Sequence, residues 1–327
     1  MTRIHAVGAW AMLAGFCLLA PPVPALAQNY PSKAVKLITQ GSAGSGPDVI
    51  ARIVGDALGR MWNQQVVILN QSGAGGSLAA RVASQAPADG YTLYMPASSA
   101  FVSMPEMFPN LPFDLERDFV RIGFVGEQPM IIAVAPTLPA KTLSEFVALS
   151  KTKPEGILYS ANTRGTFPQL TVERLAKVSG GHFTYVPYPG AAAGLQDLMG
   201  GRISMISEGP SALAGAIRGG KIRPIAVASE KRLPTMPDVP TAAETYPGFV
   251  ATGWFAMLAP AHTPDAIVHQ VNADLQKVLS QPDVQKRFED LGTYTRAMSP
   301  DEVATFIHKE QDVWRPFAHE VGVQMRK

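Results

Sequence analysis

Cysteine is all but missing. The chain of 327 residues has one, Cys17, inside an apolar N-terminal run. The rest of the chain is therefore read as free of disulfides and thiolate metal sites, so a large hydrophobic core must hold it together. Charge is sparse as well: 17% of residues are charged and the formal net charge is +2, which leaves no basic footprint and excludes nucleic acid as a partner. The one long apolar run, Ala6 to Ala20, is short for a membrane span and leads into Pro21, Pro22 and Pro24. Neither His-Glu-x-x-His nor Gly-x-Ser-x-Gly occurs, so the motifs of zinc proteases and of serine-hydrolase elbows are missing. The histidines beyond the N-terminus (His182, His262, His269, His308 and His319) are scattered without a recognisable metal-binding pattern. No metal and no cofactor is expected.

What is present begins with an address. Arg3 and His5 precede the apolar run, and Ala25-Leu26-Ala27 supplies the small-x-small cleavage pattern. Residues 1–27 read as a secretory signal peptide, which points to the periplasm. Phe16 before Cys17 does not suit a lipoprotein site. The roughly 300 residues that remain suit two domains better than one.

Those residues alternate between apolar runs and helical periodicity, the pattern of a mostly parallel sheet with helices on both faces. Strands are expected at 34–39, 65–69, 91–95, 156–160, 182–186, 202–207 and 222–228. A further one covers 120–134, with a break at 126–129. Helices are expected from Pro47, from Leu78, from Thr142, over 168–178, 192–199 and 211–217, and after Thr263 and Ser299. Thr142-Leu143-Ser144-Glu145 and Ser299-Pro300-Asp301-Glu302 are capping boxes. Pro234, Pro237, Pro240 and Pro247 suggest a long surface connection, and the part beyond it reads as helical. No internal repeat is visible.

Two glycine-rich turns each follow a strand and open a helix: Gln40-Gly41-Ser42-Ala43-Gly44-Ser45-Gly46-Pro47-Asp48 and Asn70-Gln71-Ser72-Gly73-Ala74-Gly75-Gly76-Ser77. Such a unit aims bare N–H groups and the positive end of a helix dipole at one spot, where an anion sits well. Neither turn contains Lys, His or Cys, so the pattern suits holding an anion more than reacting with it. The plainer alternative is a pair of tight turns. Neither turn is a P-loop. The spacing Gly41-x-x-Gly44-x-Gly46 is not the dinucleotide fingerprint, and the second strand ends in Asn70 where a ribose-binding carboxylate would stand.

A third candidate is the polar loop Ala161-Asn162-Thr163-Arg164-Gly165-Thr166. Its amide and hydroxyl groups suit a carboxylate and Arg164 could pair with one bidentately. A solvated loop with a threonine N-cap is the alternative. A fourth, Tyr188-Pro189-Gly190, brings an aromatic ring and bare backbone to the mouth of the next helix. Asp48, in the first helical turn, either caps that helix or meets a ligand hydroxyl or ammonium.

Taken in order, several segments resemble the tripartite tricarboxylate transporter substrate-binding proteins, the Bug or TctC-like periplasmic receptors. They are Gly46-Pro47-Asp48-Val49-Ile50-Ala51-Arg52, Gly73-Ala74-Gly75-Gly76, Pro87-x-Asp89-Gly90-Tyr91-Thr92-Leu93, Leu111-Pro112-Phe113-Asp114, Val186-Pro187-Tyr188-x-Gly190, Asp197-Leu198-x-Gly200-Gly201 and Pro237-Asp238-Val239-Pro240-Thr241. The resemblance implies a type II periplasmic-binding-protein fold: two α/β domains around a central cleft that closes on ligand in the manner of a Venus flytrap. Domain one would comprise residues 28–126 and 252–327, and domain two residues 127–251. The implied ligand is a small organic carboxylate, di- or tricarboxylic or aromatic. The implied contacts are Gly41, Ser42, Ala43, Gly44, Ser45, Gly46, Asp48, Gly75 and Ser98 from domain one, and Ala161, Asn162, Thr163, Arg164, Thr166, Tyr188 and Gly190 from domain two.

The chain departs from that pattern where many relatives have Pro-Phe and it has Gln40-Gly41, where they have Gly-Gly and it has Gly44-Ser45, and at Ala161, Thr163 and Arg164. A missing phenylalanine at Gly41 would widen the pocket toward a bulkier acid, and a valine at Gly44 should block backbone approach. The expected protein is a monomeric receptor, not an enzyme, that hands its ligand to the membrane components of a transporter. Its rivals are a receptor read by a membrane sensor kinase and a secreted enzyme acting on an organic acid.

Overall fold

The structure, a computed structural model, describes residues 30–108 and 110–322. The expected signal peptide, with Cys17, lies outside the described residues. β1 (Val35–Thr39) leads through the first glycine turn into α1 (Gly46–Trp62), and β2 (Val66–Asn70) through the second into α2 (Ser77–Ser84). β3 (Thr92–Met95) is followed by single-turn helices α3 (Ser99–Val102) and α4 (Met104–Met107), then by the long strand β4 (Phe119–Pro129). The next stretch runs β5 (Ile131–Val134), α5 (Leu143–Lys151), β6 (Ile157–Ser160), α6 (Phe167–Ser179) and β7 (Phe183–Tyr185). It continues through α7 (Ala191–Met199), β8 (Met205–Glu208), α8 (Pro210–Arg218) and β9 (Arg223–Val227). β10 (Thr252–Pro260), α9 (Asp265–Leu279), α10 (Pro282–Asp290) and α11 (Pro300–Glu320) complete the described chain.

The strands form two five-stranded sheets, ordered β2-β1-β3-β10-β4 and β7-β6-β8-β5-β9. In the first, β2, β1 and β3 are parallel, and β10 runs antiparallel between β3 and β4. In the second, β7, β6 and β8 are parallel, and β5 runs antiparallel between β8 and β9. The two sheets thus share one layout, and each supports a lobe. The repeat is one of topology, with no trace in the residues. The chain passes from the first sheet to the second between Pro129 and Ile131, and returns with β10 at Thr252.

α1 shows why these elements form. Ile50, Ile53, Val54, Ala57 and Leu58 recur at helical spacing and are buried, each large side chain contributing about 1.5–3 kcal/mol. Pro47 stands in the first turn and Asn63 ends the helix in a left-handed conformation. A Cβ on Gly55 would lie 2.8 Å from Ile68 Cδ1, so glycine there lets the helix lie against β2. One hydrophobic cluster runs from the first sheet into the second, and two more fill the remaining faces.

Three expectations are corrected. The region after the proline cluster is not wholly helical: β10 is a strand, buried along all but its first residue. Flanked on both edges and covered on both faces, it reads as a continuous apolar run without alternation. α10 was not anticipated either. The break in the long strand falls at Met130, beyond 126–129, because Gln128 still pairs with Gly253. The proline-rich stretch is pinned: Val227 N–H donates to the Pro240 carbonyl (3.0 Å), and Thr241 with Glu244 forms a reciprocal capping box. Of the two expected boxes, the one at Ser299 is reciprocal. At Thr142 only one half forms, since the Glu145 carboxylate takes the Lys141 N–H instead.

Candidate functional site

Parallel strands bring their carboxyl ends, and the loops that follow them, to one edge of a sheet, where α/β proteins bind ligands. Here the two such edges face each other. The cavity between them is lined from the loops after β1, β2 and β3 on one side and after β6, β7 and β8 on the other, with the start of β10 and the end of β4. Its enclosed part is small, ≈ 70 Å³, within ≈ 690 Å³ of free space once the open mouth is counted.

Besides the single-turn α3, five helices begin at these loops: α1, α2, α6, α7 and α8. None of them has a side-chain cap on its first turn. Of the longer helices that start elsewhere, α5 and α11 are capped by Thr142 and Ser299, while α9 and α10 are not. Uncapped N–H groups at converging helix starts make an anion site from backbone alone.

The lobes touch around the cavity. A Cβ on Gly190 would lie 2.4 Å from Ser42 Oγ, and one on Gly46 would lie 3.0 Å from Ser211 Oγ. Ser103 Oγ donates to the Gly165 carbonyl across the same divide. Near the crossing strands, buried Gln128 accepts from Ser211 Oγ (2.9 Å) and donates to Thr293 Oγ1 (2.6 Å). Trp254, Phe255 and Phe167 give the cavity an apolar wall. The Trp254 indole donates to Glu310 (3.0 Å), and its ring packs against Phe101 and Phe306.

Of the residues expected from sequence, Gly41, Ser42, Gly46, Gly75, Ser98, Asn162, Thr163 and Thr166 line the cavity together. The others stand around it. Ala43 and Gly44 are exposed, and Ser45 is buried with its hydroxyl on the Ser42 carbonyl (2.7 Å). Asp48 lies behind the first loop, accepting from Gly44 N–H (2.9 Å), Asn70 Nδ2 (2.9 Å) and Arg52. Burial pushes its pKa up, but Arg52 and these hydrogen bonds outweigh that and hold it below the usual carboxylate value. Asn70 also donates to the Gly41 carbonyl (2.8 Å), so Asp48 and Asn70 together fix the loop's shape. Ala161 is buried and its carbonyl accepts from Thr166 Oγ1 (2.6 Å). Arg164 is exposed and rests over the Tyr185 ring at 5.5 Å. Tyr188 gives its hydroxyl to Asp197 (2.8 Å), and Gly190 packs on Ser42.

Two steric expectations fail. A side chain at Gly41 would run into Ser45 Oγ (2.4 Å) and Pro47 Cβ (2.9 Å), so the missing phenylalanine opens no room toward the ligand. Gly44 adopts φ +78° with nothing within 4 Å of where a Cβ would stand, and its N–H donates to Asp48. A valine there would strain the loop without obstructing the cavity.

Sequence reading missed Gln40, Ser72, Gln128, Trp254 and, above all, Glu208. Gln40 Nε2 donates to Ser99 Oγ (2.9 Å). Glu208 ends β8 just before α8, is 3% exposed, and is the one ionisable side chain lining the cavity among the described residues. Its Oε1 has no hydrogen-bond partner, and neither has Ser98 Oγ on the opposite lobe. Burial pushes the Glu208 carboxyl up to about 8, against the smaller pull of Gly209 N–H and the Asn162 amide. The signal for it was positional: a carboxylate at the end of an apolar strand, ahead of a Gly-Pro helix start.

The paired sheets, the doubly crossing chain and the cleft between strand ends define a two-lobed solute-binding protein of the type II class. The sequence matches the "Tripartite tricarboxylate transporter family receptor" profile over residues 50–323. The chain belongs to that family. It is 31% identical to Protein BugT of Bordetella pertussis over 329 residues, covering 100% of this chain and 99% of that one. Among solved structures it is similar to R. palustris Rpa4515 with adipate (TM-score 0.87, 27% identity, covering 90% of this chain and 100% of that one). It is also similar to MatC from Rhodopseudomonas palustris with bound malate (TM-score 0.82, 28% identity, 88% and 100%).

Proposed function

We propose that this protein is a periplasmic receptor that captures a small organic carboxylate in the interlobe cleft and delivers it to the membrane components of a tripartite tricarboxylate transporter. The observation that carries the reading is the convergence of uncapped helix N-termini from both lobes on one cavity lined, among the described residues, by no cationic side chain. A carboxylate suits that arrangement, since N–H groups and helix dipoles supply its counter-charge. The adipate and malate of the similar structures agree with it.

Binding proceeds in two stages. In an open form the acid meets the loop after β1, held in shape by Asp48 and Asn70, together with Ser72 to Gly76 and Ser98. The second lobe then swings in about the crossings near Met130 and before Thr252, adding Asn162, Thr163 and Thr166 and the apolar wall. Water leaves, and each hydrogen bond strengthens in the drier surroundings. The ligand shifts the equilibrium by its extra affinity for the closed form alone. The closed outline is what the membrane partner would recognise. The units expected from the sequence, 28–126 with 252–327 and 127–251, move against each other in this reading with the first boundary shifted to Met130, since Glu127 to Pro129 pair within the first sheet.

A thermal-shift screen of the chain from Gln28 tests it, using mono-, di- and tricarboxylates, aliphatic and aromatic, beside amino acids and sugars. Selective binding to the native state raises the melting temperature by mass action. The expected result is a rise confined to carboxylates. A rise with sugars and none with acids would remove the proposal.

A further inference from the structure

An anion receptor with a carboxyl group in its pocket poses a problem of charge. Glu208 faces the cavity from the end of β8, 3% exposed, with Oε1 unpartnered. A negative charge there would repel the ligand at close range. The surroundings do not neutralise it. On its own side, the groups that favour its charged form are Gly209 N–H and the Asn162 amide. From β7 comes Tyr185, a neutral phenol whose ionisation burial opposes, with its hydroxyl on the Asn162 carbonyl (2.8 Å). Arg164, from the loop after β6, lies over the Tyr185 ring. From the other lobe, Asp48 is tied to Arg52 and Glu127 to Arg296 (2.9 Å), so the charges flanking the cleft there are already matched. From α8 and β4 the neighbours are Ser211 and Gln128, which are bonded to each other.

We propose that Glu208 stays protonated in the cleft and donates its hydrogen to a carboxylate oxygen of the bound acid, so that the receptor takes up the anion together with one proton. The inference rests on the carboxylate reading above and adds to it a specificity element. The neutral carboxyl completes a donor set otherwise made of backbone N–H and hydroxyl groups. Glu208 of the second lobe and the Ser98 hydroxyl of the first both line the cavity without a protein partner, so each is free for a polar group that enters it. The burial that raises Glu208 to about 8 keeps it mostly neutral at pH 7, and a hydrogen bond to an anion raises it further.

The test is isothermal titration of malate, adipate, citrate and benzoate between pH 6 and 9.5, on the wild type and on Glu208→Gln. In parallel, the Glu208 side-chain carboxyl is followed by ¹³C resonance in the ligand-free protein. For an acid that binds, the expected result is an affinity steady from pH 6 to 7 that falls roughly tenfold from pH 7 to 9. Near pH 9 the heat varies with buffer ionisation as uptake of one proton requires. In Glu208→Gln, whose amide donates but cannot ionise, that pH dependence disappears. The resonance titrates near pH 8. Acid binding with a flat pH profile in the wild type, or a carboxyl that titrates in the ordinary range, overturns the proposal and leaves the receptor reading standing. Affinity that rises with pH and is abolished in Glu208→Gln overturns it too, marking Glu208 as a charged acceptor for an ammonium. If none of the four acids binds either variant, the receptor reading falls and takes this proposal with it.

Discussion

A valine at position 46 would sit where the lobes meet. Gly46 opens α1 on the first lobe, and a Cβ there stands 3.0 Å from Ser211 Oγ and 3.3 Å from Gln128 Oε1, both bonded to each other beneath it. The first methyl alone demands a shift of a few tenths of an ångström, and the γ-methyls of Gly46→Val demand more. Overpacking of this kind costs about 1–3 kcal/mol. The cost falls on the closed form only, because in an open form the cleft gives the side chain room. At about 1.4 kcal/mol per tenfold, affinity should drop between about 5- and 150-fold, with the ligand-free melting temperature unchanged or slightly raised as glycine's unfolded-state entropy is removed. Titration calorimetry against the best acid of the screen measures the loss, and small-angle scattering follows the compaction. Gly44→Ala is the matched comparison: its φ of +78° makes it cost about 1–2 kcal/mol of stability, yet it does not stand between the lobes, so affinity should stay within a few-fold. Wild-type affinity and full compaction in Gly46→Val would refute the wedge and with it the closing motion assigned to α1.

Other expectations concern the groups that shape the cleft. Asp48→Ala leaves Gly44 N–H and Asn70 without their acceptor and should lower stability by about 1–3 kcal/mol in urea unfolding. Because the folded-state pKa of Asp48 is depressed, its contribution is present above the ordinary carboxylate value and lost as pH falls below it. A wild-type unfolding midpoint in Asp48→Ala would contradict this role. Glu208 has the opposite sign: with its folded pKa raised to about 8 from 4.5, stability is fullest below pH 4.5 and declines as pH climbs to 8. Relative to Glu208→Gln the decline should be about 5 kcal/mol at most, and parallel pH profiles for the two proteins would count against a buried neutral carboxyl. Gln128→Leu strands the Ser211 and Thr293 hydroxyls and should cost about 1–3 kcal/mol; a neutral result would mean these hydroxyls find other partners.

The alternation of strand and helix was legible because each lobe is built from βα units whose helices have one apolar face, as in α1. The glycine turns stood out for the same local reason, since a chain that leaves a strand and enters a helix in a few residues needs small residues there. β10 was hidden because a strand buried on both faces loses the period of two that marks a half-exposed one. Glu208 stood at the end of an expected strand, but nothing in the sequence says that this strand end opens into the cleft. Arg164 and Tyr188 carried attractive chemistry, but Tyr185 and Asp197 engage them outside the cavity. Which polar side chain is free and which is spoken for depends on neighbours from distant parts of the chain, as Gln128 with Thr293 and Ser211 shows.

Where an acid binds is the central question. A crystal structure of the chain with the strongest carboxylate of the screen should place one carboxylate group between the starts of α1 and α6, within hydrogen-bond reach of backbone N–H groups from both lobes. An acid found instead in the separate groove flanked by Arg52, Arg218 and Arg287, with the cleft holding none, would contradict it.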